Sequence, residues 1–164
     1  MSVTLEERLA IADLLAEEAE TVDNQDWDRW LALFTEDVEF WVPSWDSEHV
    51  LTTDPQSEMS LMYYKGRHGL EDRVFRIKTG RSAASTPLPR TCHMTSNFRM
   101  EKTAYGFMVK ARWMASAFRR GESVTYFGSC VYQLVGDVAS LRIAAKKTVV
   151  CNDLISTSLD IYNI

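Results

Sequence analysis

The sequence predicts an α+β fold, with helices gathered at the start and covering one face of a curved sheet. Three features lead there. Apolar residues recur at helical spacing from Leu5 to Phe34, and four long runs of alternating apolar and polar residues fill the second half. Turn signals at Tyr105-Gly106, Gly121-Glu122 and Gly136-Asp137 separate those runs as hairpin loops do.

The first element is an amphipathic helix from Leu5 to Val22. Leu5, Leu9, Ala12, Leu15, Ala16, Ala19 and Val22 form its apolar stripe, while Glu6, Glu7, Asp13, Glu17 and Glu20 fall mainly elsewhere. Thr4 followed three residues later by Glu7 fits a capping box, which satisfies the first free backbone N–H groups. Asp23-Asn24-Gln25 breaks the pattern, and Trp27, Trp30, Leu31 and Phe34 mark a second, shorter helix. Val38, Phe40 and Val42 then alternate with Asp37, Glu39 and Trp41, as a strand stopped by Pro43. Ser44 to Ser60 is polar, holds Pro55 and reads as loop. Leu61 to Tyr64 fits a short strand. Leu70, Val74 and Ile77 give a third helix that ends before Gly80, and Ser82 to Arg90, with Pro87 and Pro89, reads as loop. The long strands run over Cys92–Lys102, Phe107–Ala117, Val124–Val135 and Leu141–Val150.

A chain of 164 residues with 46% hydrophobic and 11% aromatic residues is expected to form a single domain over residues 1–164, with a core large enough to need no disulfide or metal staple. Seven glycines and four prolines leave no room for a collagenous or linker-rich reading. A net charge of −5 lacks the basic footprint that nucleic acid selects. No apolar run approaches a membrane span, and the polar, acidic start from Thr4 to Glu7 is unlike a signal peptide. Cys92, Cys130 and Cys151 are an odd set at wide spacing, which suits a reduced cytoplasm and suggests neither a disulfide framework nor a zinc site.

Motifs for chemistry are sparse. The glycines are scattered and make no phosphate cradle, and His49, His68 and His93 sit in three segments with no paired-ligand spacing. One catalytic reading remains, in which His93 works with Asp37 as an acid/base pair in a pocket between helices and sheet, with Tyr63 and Tyr64 as hydrogen-bond donors. Its bland counterpart has His93 packing or hydrogen-bonding on its strand and the tyrosines as core residues with a polar tip. Trp41, Trp45, Met59, Met62 and Tyr64 read equally as core or as a protein interface. Arg73, Arg76, Lys78, Arg81 and Arg90 make a basic segment in an acidic chain, either a solvated helix face or a set of forked donors for carboxylates.

The stretches DVEFWVPSWD from Asp37, DPQSEMSLMYY from Asp54, GLEDRVFRIKTGRSAASTPLPRTCHMTSNF from Gly69 and the late Lys-Lys before Val149 resemble the small (beta) subunit of bacterial aromatic-ring-hydroxylating dioxygenases. The resemblance runs essentially end to end and is nearest to the benzoate, toluate and anthranilate group. It implies a nuclear-transport-factor-2-like (cystatin-like) cone, in which N-terminal helices pack on a strongly curved, mixed and mostly antiparallel sheet. Its further implication is an assembly of three large and three small subunits, the small ones touching each other as a trimer. The large subunit would carry a Rieske [2Fe–2S] centre and a mononuclear iron, take electrons from NADH through a separate reductase, and cis-dihydroxylate an aromatic carboxylate. The chain itself would be a noncatalytic scaffold without cofactor or metal. Its own residues agree, because Cys92 directly precedes His93 and neither C-x-H nor C-x-x-H occurs. Arg73, Arg76, Arg81, Arg90 and Trp45 are then the expected contacts to a partner subunit. The competing reading is a free-standing isomerase or dehydratase built on His93 and Asp37, since the same fold hosts such enzymes.

Overall fold

The computed structural model describes residues 2–156 and 158–164. Helix α1 spans Leu5–Asp23, and the Thr4/Glu7 capping box closes its first turn in both directions. A break with Gln25 at positive φ leads into α2, Trp27–Ala32, which Asp26 caps. The second helix therefore stops earlier than its apolar stripe suggests. Phe34 already belongs to strand β1, Phe34–Pro43, where it stacks edge-on against Trp30 and Phe40.

The segment expected to be loop after Pro43 contains a small hairpin, β2 (Trp45–Ser47) with β3 (Val50–Leu51). Its side chains are mostly exposed, so no period-two apolar pattern marked it. Strand β4 covers Ser60–Lys65, and helix α3 covers Arg67–Thr79, burying Leu70, Val74 and Ile77. Gly80 ends α3 in the left-handed region, with φ 63°, a conformation that glycine adopts without penalty. The loop after it holds one 3-10 turn, Ala83–Ser85.

Four long strands follow, β5 (Arg90–Thr103), β6 (Gly106–Arg119), β7 (Glu122–Val135) and β8 (Arg142–Val150). Their order in the sheet is β4-β1-β8-β7-β6-β5. All neighbours are antiparallel except β1 and β8, so the sheet is mixed and mostly antiparallel, as expected. Register breaks in β5/β6 at Ser96/Arg99 and in β7/β8 at Gln133/Leu134 bend the strands, and α1 lies across the concave face they create. One end of α1 touches β5 through Asp23, and its middle reaches β7 and β8 through Glu18.

The core lies between that concave face and the helices, with Ile11, Leu15, Trp30, Phe40, Leu70 and Ile143 almost fully buried. The buried stripe of α1 is Ile11, Leu14, Leu15, Glu18, Thr21 and Val22. Leu5 and Leu9, expected in the core, are exposed on the opposite side of the helix. The C-terminal 3-10 turn Ile161–Asn163 tucks into the core, capped by Asp160.

Candidate functional site: the cone interior and the arginine segment

Glu18 projects from the buried stripe of α1 into the cone, where a lone carboxylate would be strongly unfavourable. Two residues from the sheet neutralise it. Lys146 on β8 places Nζ 2.6 Å from Glu18 Oε1, and the Tyr132 hydroxyl on β7 donates to Oε2 at 2.9 Å. The ammonium also sits 5.6 Å from the centroids of both the Phe40 and Tyr132 rings, a cation–π arrangement from two sides. Burial, and then the neighbouring Glu18 charge, push the Tyr132 hydroxyl well above its ordinary pKa, and burial pushes the adjacent Cys130 thiol up to about 11. Both groups therefore stay protonated at neutral pH.

His93 lies at the edge of the same interior, and its carboxylate partner is Asp23. Asp37, the expected partner, stays exposed on β1, whose inward positions are Val38, Phe40 and Val42. Asp23, the last residue of α1, receives the His93 backbone N–H at 2.9 Å and the Thr91 hydroxyl at 2.8 Å, and approaches His93 Nδ1 to 2.6 Å. Burial works to raise the Asp23 pKa, but these hydrogen bonds outweigh it and hold the carboxyl below its usual value. The arrangement clamps the end of α1 to β5.

Around Glu18, His93, Tyr132 and Lys146, the side chains of Trp113 and Ile164 leave a space of about 20 Å³, room for one water. A pocket for an organic substrate is larger by more than an order of magnitude, roughly 300–1,000 Å³. The interior thus holds acid–base groups but admits no aromatic ring for them to act on. Tyr63 and Tyr64 lie outside this space, on β4. Among the described residues, no three His, Cys, Asp or Glu side chains converge as metal ligands.

The arginine segment divides. Arg73 on α3 is committed within the chain, with Nε 3.2 Å from Asp160 Oδ1 and Nη2 on the other carboxylate oxygen, so it fastens the buried C-terminal turn to α3. Burial opposes the charge on Arg73, yet the Asp160 carboxylate raises its pKa further. Arg76 and Arg81 are exposed, and border a cleft shared with Phe75. Phe75 is 68% exposed and lies off the Leu70/Val74/Ile77 stripe, a signal that sequence reasoning passed over. Arg90 opens β5, its guanidinium 5.0 Å above the Phe118 ring. Arg119 and Arg120 hold the Pro-flanked loop by donating to the Ala84 and Thr86 carbonyls. Trp45 stands apart from the arginines, in the β2–β3 hairpin, half-exposed and donating Nε1–H to the Val150 carbonyl at 2.8 Å.

Comparison with known proteins places this architecture. The family described as ring hydroxylating beta subunit matches over residues 17–157. The chain is 41% identical over 155 residues to the benzoate 1,2-dioxygenase subunit beta of Acinetobacter baylyi, covering 94% of this chain and 92% of that protein. Its identity to the anthranilate 1,2-dioxygenase small subunit of the same organism is 38% over 163 residues, covering 99% and 100%. The crystal structure of the beta subunit of the benzoate 1,2-dioxygenase from Burkholderia mallei superposes with a TM-score of 0.80 at 34% identity, covering 100% of this chain and 99% of that one. An NTF2-like protein with a cystatin-like fold from Novosphingobium aromaticivorans shares the fold alone, with a TM-score of 0.60 at 14% identity, covering 93% and 87%. The chain has the cystatin-like, NTF2-like α+β fold and belongs to the ring hydroxylating beta subunit family.

Proposed function

We propose that the chain, one domain throughout, is the noncatalytic structural subunit of a cytoplasmic Rieske non-haem iron dioxygenase that cis-dihydroxylates an aromatic carboxylate. One observation carries this reading: the Glu18–Lys146–Tyr132 cluster in the cone is consumed by its own ion pair and hydrogen bonds, and the space beside it, about 20 Å³, is too small for a substrate ring. The substrate class rests on relatives named for benzoate, anthranilate and toluate, all aromatic carboxylates.

The donor set of the chain does not fit either iron centre of such an enzyme. Cys130 is buried with its thiol held protonated, and Cys92 and Cys151 are exposed and apart. His93 is one buried imidazole with Nδ1 on Asp23, and among the described residues no set of three His, Cys, Asp or Glu side chains converges as ligands; His49 and His68 are exposed, His68 on α3 beside Glu71 and Asp72. Both irons therefore belong to the large catalytic subunit, and no step of the oxidation runs through this chain. Its contribution is a rigid platform on which three large subunits and three copies of this chain assemble.

Arg76, Arg81, Arg90 and Trp45 contact the partner subunit in this reading, with exposed Phe75 as the apolar anchor beside the arginines. Arg73 acts one step back, holding the C-terminal turn beneath them through Asp160. The test is co-expression with a Rieske-type large subunit, followed by size-exclusion chromatography. Arg81→Glu and Arg90→Glu should weaken co-elution while leaving the melting of the isolated chain unchanged. Normal assembly by both variants would return these arginines to the solvated surface, and unfolding of the isolated variants would make them internal struts.

A further inference from the structure

The inner face of the sheet runs on past the cone interior to the turn between β6 and β7. Its inward positions there are two cross-strand pairs, Ala117 with Val124 and then Arg119 with Glu122. Together with the Pro-flanked loop and the C-terminal turn they line a cleft of about 330 Å³, where the cone interior leaves about 20 Å³. The larger volume falls within the range of small-molecule sites. Arg73, in the clefts beside α3, is already neutralised by Asp160. No carboxylate does this for the arginines at the β6–β7 turn.

Arg119 donates Nη1–H to the Ala84 carbonyl, and Arg120 donates Nη2–H to the Thr86 carbonyl at 3.0 Å. These carbonyls fix the direction of both guanidinium groups without neutralising them, and each group keeps further N–H donors. Among the described residues neither arginine enters an ion pair, although Glu122 stands opposite Arg119 in register. Arg120 opens a two-residue hairpin turn at φ 53°, a position usually given to Asn, Asp or Gly, so a guanidinium stands there at the expense of a relaxed backbone. Ser123, Ser156 and Ser158 add hydroxyl groups to the lining, and Pro89, Ala117 and Val124 supply an apolar wall. Tyr162, 5% exposed, donates its hydroxyl to the same Ala84 carbonyl at 3.2 Å and ties the C-terminal turn to the Arg119 anchor.

We propose that this cleft binds a small aromatic carboxylate, its carboxylate on Arg119 and Arg120 and its ring on Pro89, Ala117 and Val124. Two unpaired, pre-oriented guanidinium groups select a planar carboxylate, which accepts their forked N–H groups in pairs. The apolar wall selects a ligand with a ring behind that carboxylate. In a chain of net charge −5 the preference for an anion is local to this cleft. The ligand class rests on the reading of the chain as a subunit of an enzyme that acts on aromatic carboxylates; the site assigns such a molecule a binding place on the small subunit itself.

Titration of benzoate into the full-length chain, followed by calorimetry and by amide chemical shifts, tests it. The wild type should bind one benzoate saturably, with Kd of about 1 mM or tighter, and the shifts should centre on Ser123, Val124 and Tyr162. Acetate, which lacks the ring, and benzyl alcohol, which lacks the carboxylate, should each bind at least about tenfold more weakly. Arg119→Gln and Arg120→Gln should each weaken benzoate at least about tenfold, and Val124→Phe, which fills the wall and keeps both arginines, should do the same. Thermal melts show which variants are folded, and the ligand comparison on the wild type needs none of them. Absence of saturation, shifts centred elsewhere, folded variants that bind like the wild type, or acetate or inorganic phosphate bound as tightly as benzoate overturns the proposal. Co-elution with a Rieske-type large subunit is scored alongside. Folded arginine variants that no longer co-elute overturn the proposal, because the arginines then grip the large subunit. A wild type that co-elutes but binds no benzoate overturns the site and leaves the scaffold reading standing, and a wild type that binds benzoate in the cleft without co-eluting does the reverse.

Discussion

Replacing Lys146 by Met should be among the most damaging single changes in the chain. The Lys146 and Glu18 side chains are 7% and 5% exposed, so their attraction is not diluted by water and the small values typical of surface pairs do not apply. Removing the ammonium leaves the Glu18 carboxylate buried with only the Tyr132 hydroxyl, a loss of about 3–5 kcal/mol for a broken buried pair. For a chain of 164 residues that corresponds to a fall in Tm of roughly 6–20 °C. Tyr132→Phe removes one hydrogen bond to a charged acceptor and should cost less, about 1.5–3 kcal/mol. The informative variant combines Glu18→Leu, Tyr132→Phe and Lys146→Met. With no charge left to desolvate, it should recover most of the loss, and in complex with the large subunit it should support normal product formation. Urea unfolding with the mutant cycle gives the energies, and assay of the assembled enzyme gives the function. A Lys146→Met variant as stable as the wild type would refute the energetic argument. A stable triple variant that assembles but forms no product would refute the structural role assigned to the cluster.

His93→Ala should act through the α1–β5 clamp, so a fully assembled, metallated enzyme carrying it should keep its chemical step; a loss of roughly 10²–10⁴-fold, as for a deleted acid–base group, would contradict that. The lowered Asp23 pKa fixes a pH dependence: the clamp contributes fully above the unfolded-state pKa of about 4 and its contribution disappears as pH falls through the lower folded-state value. Urea midpoints of wild type and Asp23→Asn, measured from neutral pH downward, should therefore converge on acidification, and a constant gap would count against the clamp. Cys130, buried and titrating at about 11, should resist maleimide in the native chain while exposed Cys151 reacts, and mass spectrometry of the labelled peptides would expose any error.

The sheet was legible in the sequence because β6 and β7 each bury one face, which leaves an uninterrupted alternation such as Phe107, Val109, Ala111, Trp113 and Ala115. The capping box of α1 and the glycine end of α3 were legible because they are local. What escaped depends on distant partners. The buried stripe of α1 contains Glu18 and Thr21, so apolar spacing alone finds Leu15 and Val22 but adds Leu5, Leu9 and Ala16, which are exposed. Only Lys146 and Tyr132, 128 and 114 residues further on, make burial of Glu18 tolerable. Asp23 and Asp37 were equally available to His93 in the sequence, and the fold chose the one at the end of a helix packed on β5. Arg73 shared composition with Arg76 and Arg81, yet its partner, Asp160, caps a C-terminal turn whose burial no periodicity announced.

Whether this chain assembles the oxygenase without performing its chemistry is decided by one comparison. This chain and a Rieske-type large subunit are produced separately and together in iron-replete cells, and each sample is measured for iron and for cis-dihydrodiol formed from benzoate with NADH and reductase supplied. The expected result is iron in the large subunit, none in stoichiometric amount on this chain alone, and full product formation only from the joint assembly. Tightly held iron on this chain alone would make it a metal-bearing subunit, and product from the large subunit at an undiminished rate without it would make it dispensable; either result rules out a noncatalytic scaffold.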